Sequence, residues 1–280
     1  MNRHPLRPVT EADIRTYEED GVVCLRGMFD REWTDRMREA SIRFMESGIG
    51  RKRIVQKPGE TARFYSNVFM CGLDPNFMAF RNESPAAEIA ATLMRVDRVR
   101  FWYDQMFIKE PGTSAPTQWH QDLPFWPFRG SHLISIWVAF TPVTKDSSGV
   151  EYIKGSHKWA KFYRAVTPDE DPNFANPDLE PCPNFSERYG DPSLKFLSWE
   201  LEPGDVVCHH PMAVHGAGGN KSATQGRIGL SVRFLGDDVQ WDPRPYTVKI
   251  PVPPKVPAGA YPGDDAVFPV IWERPRAAAE

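Results

Sequence analysis

Over the first third of the chain the apolar residues recur at helical spacing. Thr10-Glu11-Ala12-Asp13 has the form of a capping box, with the Thr10 side-chain oxygen placed to accept from an amide of the first turn. The helix it opens carries Ile14 and Tyr17 and stops at Gly21, and Val22–Leu25 follows as a short strand. Asp30 is a second cap, after which Trp33, Met37, Ser41, Phe44 and Met45 recur at helical intervals up to Gly48. Ser84-Pro85 marks a third start, because proline suits the first helical position, and Ile89, Leu93 and Met94 supply that helix with a buried face. These stripes predict core packing rather than cofactor contact, so residues 10–95 are expected to form a helical layer.

From Arg98 onward the period drops to two. Phe101, Tyr103, Gln105 and Phe107 are expected on one face of a strand, with Trp102, Asp104, Met106 and Ile108 on the other. Leu133–Thr141 alternates likewise, setting Ser135, Trp137 and Ala139 against Ile134, Ile136, Val138 and Phe140. Further strands are expected at Val150–Ile153, Phe196–Leu201, Val206–His209 and Arg227–Leu235, with Pro203-Gly204-Asp205 as a turn. Residues 165–195 are rich in Pro, Asp and Asn without periodicity and predict a lid or insertion; residues 242–280, studded with proline, predict an extended tail over the surface. No repeat or linker interrupts residues 1–280, so a single domain is expected. Many short strands behind a helical layer predict a mainly β fold with flanking helices. Its core, about 97–236, is expected to be a double-stranded β-helix (a cupin-like jelly roll) buttressed by the N-terminal helices.

Composition narrows the function. The 280 residues are 41% hydrophobic and 25% charged, ordinary for a folded globular chain, and the formal net charge of −3 offers no basic field for nucleic acid or an anionic membrane. No apolar run reaches the roughly 18 residues that span a bilayer, and the first residues lack the apolar stretch of a secretory signal. The four scattered cysteines form no CxxC pair, so neither a disulfide framework nor a zinc knuckle is expected, and a cytoplasmic setting fits. With 27 prolines, 17 phenylalanines and 9 tryptophans, long loops and a ring-lined pocket are expected instead.

The segment Thr117-Gln118-Trp119-His120-Gln121-Asp122 concentrates the chemistry. In an extended backbone residues i and i+2 share a side, so His120 and Asp122 would point together. They make up two thirds of a 2-His-1-carboxylate facial triad, which holds Fe(II) and leaves three positions open. The completing histidine must come from downstream: His132, His157, His209, His210 or His215. His215 is the best placed, after a strand and before the glycine-rich Gly216-Ala217-Gly218-Gly219, where backbone can approach a ligand. His209 and His210 are its rivals, and alternation allows only one of them to look inward. Further on, Arg227, Gly229, Ser231 and Arg233 share the polar face of a strand. A guanidinium pairs with a carboxylate through two parallel hydrogen bonds, which suits anchoring a dicarboxylic acid. Arg227 is the first choice of anchor and Arg233 the second, since Asp237 and Asp238 are close enough in sequence to pair with Arg233.

Lys109-Glu110-Pro111-Gly112-Thr113, Trp119-His120-Gln121-Asp122, Gly155-Ser156-His157-Lys158 and His215-Gly216-Ala217-Gly218-Gly219-Asn220 with Arg227 together resemble the phytanoyl-CoA dioxygenase family, from about the first helix to Leu235. The resemblance implies a non-haem Fe(II) oxygenase that uses 2-oxoglutarate as cosubstrate and O2. It implies His120, Asp122 and His215 as the catalytic iron ligands, Arg227 as anchor of the distal carboxylate, and Trp137 and Gln105 as cosubstrate contacts. Three positions depart from the family pattern: Ala217 replaces a frequent serine, Lys154 a frequent proline, and one extra residue precedes Arg227. His157 reads as a structural loop residue.

The implied reaction is hydroxylation of an unactivated C–H bond of a small organic molecule, with release of succinate and CO2. Asp122 occupies the position that halogenating relatives leave to chloride, which disfavours halogenation; desaturation and ring formation share the same first step. Phe125-Trp126-Pro127-Phe128, with Phe101, Tyr103 and Phe107, would wall an aromatic pocket or simply fill the barrel, and Arg129 and Arg51-Lys52-Arg53 offer cations to an anionic group. Two other functions use the same residues: a cupin-like metal-dependent hydrolase or isomerase, and a non-catalytic jelly-roll binding protein. Oligomeric state leaves no mark on the sequence.

Overall fold

At the head of α1 (Glu11–Asp20) the Thr10 side chain accepts from the Asp13 amide while Asp13 reaches back to the Thr10 amide, and Gly21 at φ 76° ends the helix in the left-handed region. β1 (Val22–Leu25) leads to α2 (Arg31–Ser47), whose cap is Asp30 and whose end is Gly48. The computed structural model describes residues 1–164, 166–167 and 171–275. After α2 come the hairpin β2 (Arg51–Val55) and β3 (Phe64–Val68), then α3 (Pro75–Glu83) and α4 (Ala86–Met94). The strands continue as β4 (Arg98–Lys109), β5 (Thr117–His120), β6 (Phe128–Arg129), β7 (Leu133–Ala139), β8 (Glu151–Ile153) and β9 (Phe196–Leu197). β10 (Val206–His209), β11 (His215–Ala217), β12 (Arg227–Leu235), β13 (Gln240–Trp241) and β14 (Val270–Glu273) complete the set.

Besides the expected strand Val22–Leu25, the helical layer therefore also contains two strands and one further helix. β2 escapes a pattern search because it is an edge strand made of Arg51, Lys52 and Arg53, whose exposure removes the apolar alternation. α3 has a cap in Asp74 and proline at its start, but its nine residues bury only Phe77 and Phe80, too few to display a period.

The fold is mainly β. Eight strands form the antiparallel order β1-β10-β7-β12-β4-β3-β2, with β14 added beside β4; β5-β11-β8-β9 form a smaller sheet, and β6 and β13 a two-stranded ribbon. Alternation divides the large sheet into two faces. Ile134, Ile136 and Val138 of β7 with Ile228, Leu230 and Val232 of β12 pack under the helices in the largest core cluster. Each such side chain contributes about 1.5–3 kcal/mol by leaving water. On the opposite face Trp137, Ala139 and Val207 meet Tyr152 of the smaller sheet. The polar stripe Arg227, Ser231 and Arg233 lies on this inner face, so the gap between the sheets is where chemistry can be held.

Two expectations about the inner face change. A bulge interrupts the β4–β12 pairing: Val232 opposes Asp104 and Phe234 opposes Phe101, leaving Trp102 and Tyr103 together opposite Arg233. The extra residue reverses the alternation, so Phe101 joins the helix-side core while Tyr103, Gln105 and Phe107 line the inner cavity. The tail also departs from a surface wrap. Phe268 is fully buried against Trp102, Phe128 and Trp241, and β14 pairs with β4, because apolar Val267, Phe268, Val270, Ile271 and Trp272 follow the proline-rich stretch. Within the expected lid, Cys182 and Phe185 are buried beneath Trp119. Residues 165 and 168–170 of that lid and 276–280 of the tail lie outside the described residues.

Candidate metal centre and cosubstrate cavity

β5 ends at His120 and β11 begins at His215, and the two residues pair in register, which brings the ring centroids to 4.2 Å. His120 Nδ1 donates to the Gln118 carbonyl at 2.7 Å and His215 Nδ1 to the Ala213 carbonyl at 3.0 Å. Since a carbonyl only accepts, both protons sit on Nδ1, and each Nε2 keeps the lone pair that a metal takes. Asp122 arrives by a different route from the one its spacing suggests. The strand stops at His120, and Asp122 has helical backbone (φ −75°, ψ −40°) at the head of a 3-10 turn over Leu123–Phe125. Its amide donates to the Pro211 carbonyl at 2.8 Å, and this turn, rather than strand alternation, swings Oδ1 to 3.6 Å from His120 Nε2. One ligand atom from each of His120, Asp122 and His215 lies within 4.8 Å of the others.

Electrostatics prepare these groups as ligands. Burial pushes the Asp122 carboxyl up, but the Arg233 charge, then the neighbouring His120 and His209, outweigh it and hold Asp122 well below the usual carboxylate range. Burial, then the neighbouring His120 and His209, keep His215 neutral. An ionised carboxylate beside the neutral His215 imidazole is the protonation state that binds a divalent cation. Of the other histidines, His209 looks into the centre with Nε2 3.4 Å from Asp122 Oδ2, while His210 turns to the far side against His157. His157 accepts no role there: its ring packs over Gly21 and its Nε2 meets the Glu18 carbonyl at 3.2 Å. His132 sits beside Asp238.

Arg227 lies on the same inner face, 1% exposed, with Nη1 donating to the Ser148 carbonyl and its guanidinium 5.6 Å from the Trp137 ring centroid. Burial lowers it to about 10, which leaves it cationic at neutral pH, and its buried Nε has no hydrogen-bond partner among the described residues. Arg233 does not pair with Asp237 or Asp238. Strand alternation carries it inward, where Nε lies 3.6 Å from Asp122 Oδ2, Nη2 donates to Gln105 Oε1 at 2.9 Å, and the guanidinium stacks 4.3 Å from the Tyr103 centroid. Asp237 and Asp238 lie past the strand end and accept from the Asp97, Ser131 and His132 amides instead. The Gln105 amide is thus committed at both ends, to Arg233 and to Ser66 Oγ at 3.0 Å. Trp137 fits flat over β12 only because residue 229 has no side chain: a Cβ there would lie 2.0 Å from the indole. Sequence reasoning passed over Lys109 as a separate group. It is fully buried, donates to the Gly218 carbonyl at 2.7 Å, and is pushed well down by burial and by the Arg227 charge; its signal was its place at the end of a strand in the Lys109-Glu110-Pro111-Gly112 motif.

His120, Asp122, His215, Arg227, Trp137 and Gln105 all border one cavity of about 570 Å³. Phe125 forms part of its wall, packed against Phe174 at 5.0 Å, whereas Trp126 and Phe128 are fully buried filling. Arg51, Lys52 and Lys249 stand on the cavity's lining, as does Arg53, which pairs with Asp171 at 3.3 Å. Arg129 is turned away to Gln240.

Two imidazoles and a carboxylate opposite buried arginines, between two β-sheets, define a non-haem metal-centre architecture. Residues 17–229 match the family described as Phytanoyl-CoA dioxygenase (PhyH), and the chain belongs to that family, one of Fe(II)- and 2-oxoglutarate-dependent dioxygenases. The expected family therefore holds. A probable phytanoyl-CoA dioxygenase of Caenorhabditis elegans is 31% identical over 122 residues, 43% of this chain but only 36% of that protein, so the match spans about a third of this relative. The structure of the non-heme alpha ketoglutarate dependent carbocyclase SnoK of nogalamycin biosynthesis superposes with a TM-score of 0.74 at 19% identity, covering 97% of this chain and all of that one. The epimerase SnoN, whose structure contains Fe3+, alpha ketoglutarate and nogalamycin RO, gives 0.71 at 19% identity over 94% of this chain and 98% of that one. Among the described residues no helix is long and apolar enough to cross a membrane.

Proposed function

We propose that this chain is an Fe(II)- and 2-oxoglutarate-dependent dioxygenase that hydroxylates a C–H bond of a small organic molecule. The observation that carries the reading is the convergence of His120, Asp122 and His215 on one cavity with Arg227, whose buried Nε has no partner among the described residues. The donor set fits iron: two imidazoles presenting Nε2 and one ionised carboxylate satisfy a borderline divalent cation and leave coordination positions free. When bound, iron supplies oxygen activation coupled to decarboxylation of the keto acid. The chain's own work is to hold and exclude. Arg227 grips the distal carboxylate of 2-oxoglutarate, Trp137 braces Arg227, and Gln105 orients Arg233 behind Asp122. The apolar walls keep water from the reacting C–H bond. A carboxylate at position 122 leaves no place for halide and supports hydroxylation over halogenation.

The two facing sheets support a double-stranded β-helix core at about 97–236 within a single domain over residues 1–280, and the free thiols of half-buried Cys24 and of buried Cys71, Cys182 and Cys208 favour a cytoplasmic setting. Phe64, Phe107, Phe125 and Phe174 with Arg51 and Lys249 at the cavity favour a substrate with an apolar body and an anionic group. The test is an anaerobic titration with Fe(II) and 2-oxoglutarate followed by exposure to air. A weak visible charge-transfer band and oxygen-dependent succinate release are expected. A protein that develops no band and releases no succinate overturns the proposal.

A further inference from the structure

Asp122 has two oxygens, and their surroundings are unequal. Oδ1 faces His120 Nε2 at 3.6 Å, whereas Oδ2 meets His209 Nε2 at 3.4 Å and Arg233 Nε at 3.6 Å. His209 stands at the end of β10 on the inner face, 3% exposed, with its ring 4.6 Å from that of His215. Its other nitrogen, Nδ1, lies 3.3 Å from the Tyr152 hydroxyl. A carboxylate oxygen only accepts, so His209 must donate through Nε2; its Nδ1 is then an acceptor, and the Tyr152 hydroxyl must donate to it. Tyr152 is itself held by β8 pairing with β11 and stacks on His215 at 5.4 Å with a 20° interplanar angle.

We propose that Tyr152 and His209 form a positioning relay that, with Arg233, occupies Asp122 Oδ2 and so reserves Oδ1 for the metal. The inference rests on the metal-centre reading above and adds a determinant of ligand geometry. The relay fixes one tautomer of His209, and His209 fixes the rotation of the carboxylate. Partners of this kind orient ligands, and their loss typically weakens metal binding about 10–100-fold.

Cobalt(II) serves as the probe, titrated calorimetrically and by visible spectrum into the full-length protein without iron. His209→Phe keeps the ring's bulk and removes the donor; His209→Gln restores a donor of similar reach. Cobalt affinity is expected to fall about 10–100-fold in H209F with an altered ligand-field spectrum, to recover largely in H209Q, and to fall less in Y152F. Equal affinity and spectrum in H209F and wild type overturn the relay while leaving the metal centre standing. So does a loss in H209Q as large as in H209F, which assigns His209 to packing alone. A wild-type protein that takes up no cobalt overturns the metal centre and the relay together.

Discussion

Gly229→Ala tests whether the fit between β7 and β12 supports the cosubstrate site. A methyl group at this position would lie 2.0 Å from Trp137 Cζ2 and 2.5 Å from Cε2, against about 3.5–4.0 Å for ordinary carbon contacts. The indole is 4% exposed and packed with Val22, Ala139, Tyr152 and Val207, so the one direction open to it is into the cavity. Separating the strands instead would disturb the Gly229–Ala139 pairing. Overpacking of this kind costs about 1–3 kcal/mol. At about 2–4 °C per kcal/mol for a chain of this size, the melting temperature should fall by roughly 2–12 °C. Because the Arg227 guanidinium lies 5.6 Å from the indole centroid, displacing the ring should also raise KM for 2-oxoglutarate by about three- to tenfold, the order of one lost cation–π contact. Differential scanning fluorimetry and steady-state kinetics read the two effects. The double variant Gly229→Ala with Trp137→Phe removes the clashing benzo ring and should be more stable than the single losses add up to. A Gly229→Ala protein with unchanged melting temperature, or strict additivity in the double variant, would refute the reasoning.

His120→Ala should leave the melting curve of the metal-free protein largely intact, whereas Asp122→Ala should lower it by leaving Arg233 buried without its carboxylate; both should lower succinate release by more than the about 100-fold typical of supporting residues, and wild-type turnover in either would remove that residue from the centre. Arg227→Ala should raise KM for 2-oxoglutarate about 10–100-fold, the loss of one charged hydrogen bond or more, and an unchanged KM would transfer the anchor to Arg233. For the metal-free protein, stability should decline as pH falls from about 6.5 toward 4. Burial first, then the charge of His157, lowers His210 to about 4, so the unfolded chain binds the proton first and each step of acidification favours unfolding. Allowing for the ring's partial exposure, the His210 contribution is ~1–3 kcal/mol at pH 4. His210→Asn should flatten the thermal denaturation profile across that window, and an equally steep profile would count against the assignment.

Adjacent residues were enough to announce α1, α2, β4, β7 and β12. Caps such as Thr10 with Asp13 and Asp30 act within one turn, and an apolar period of two survives wherever one face of a strand meets the helices. His120, Asp122, His215 and Arg227 were likewise legible as residue types in motifs. Their arrangement was not. The Asp122 carboxylate reaches His120 through a turn held by the Pro211 carbonyl, Phe101 leaves the cavity because Arg233 faces a two-residue bulge, and Phe268 enters the core from a tail that reads as surface. Nor does anything near position 233 in the chain announce that its partners are Asp122 and Gln105 rather than Asp237. Local signals report the backbone each stretch prefers, since caps and periodicity depend on neighbours a few residues away. Partners at the metal centre depend on cross-strand register and on which side chains share a water-poor gap, quantities that exist only once distant strands have paired.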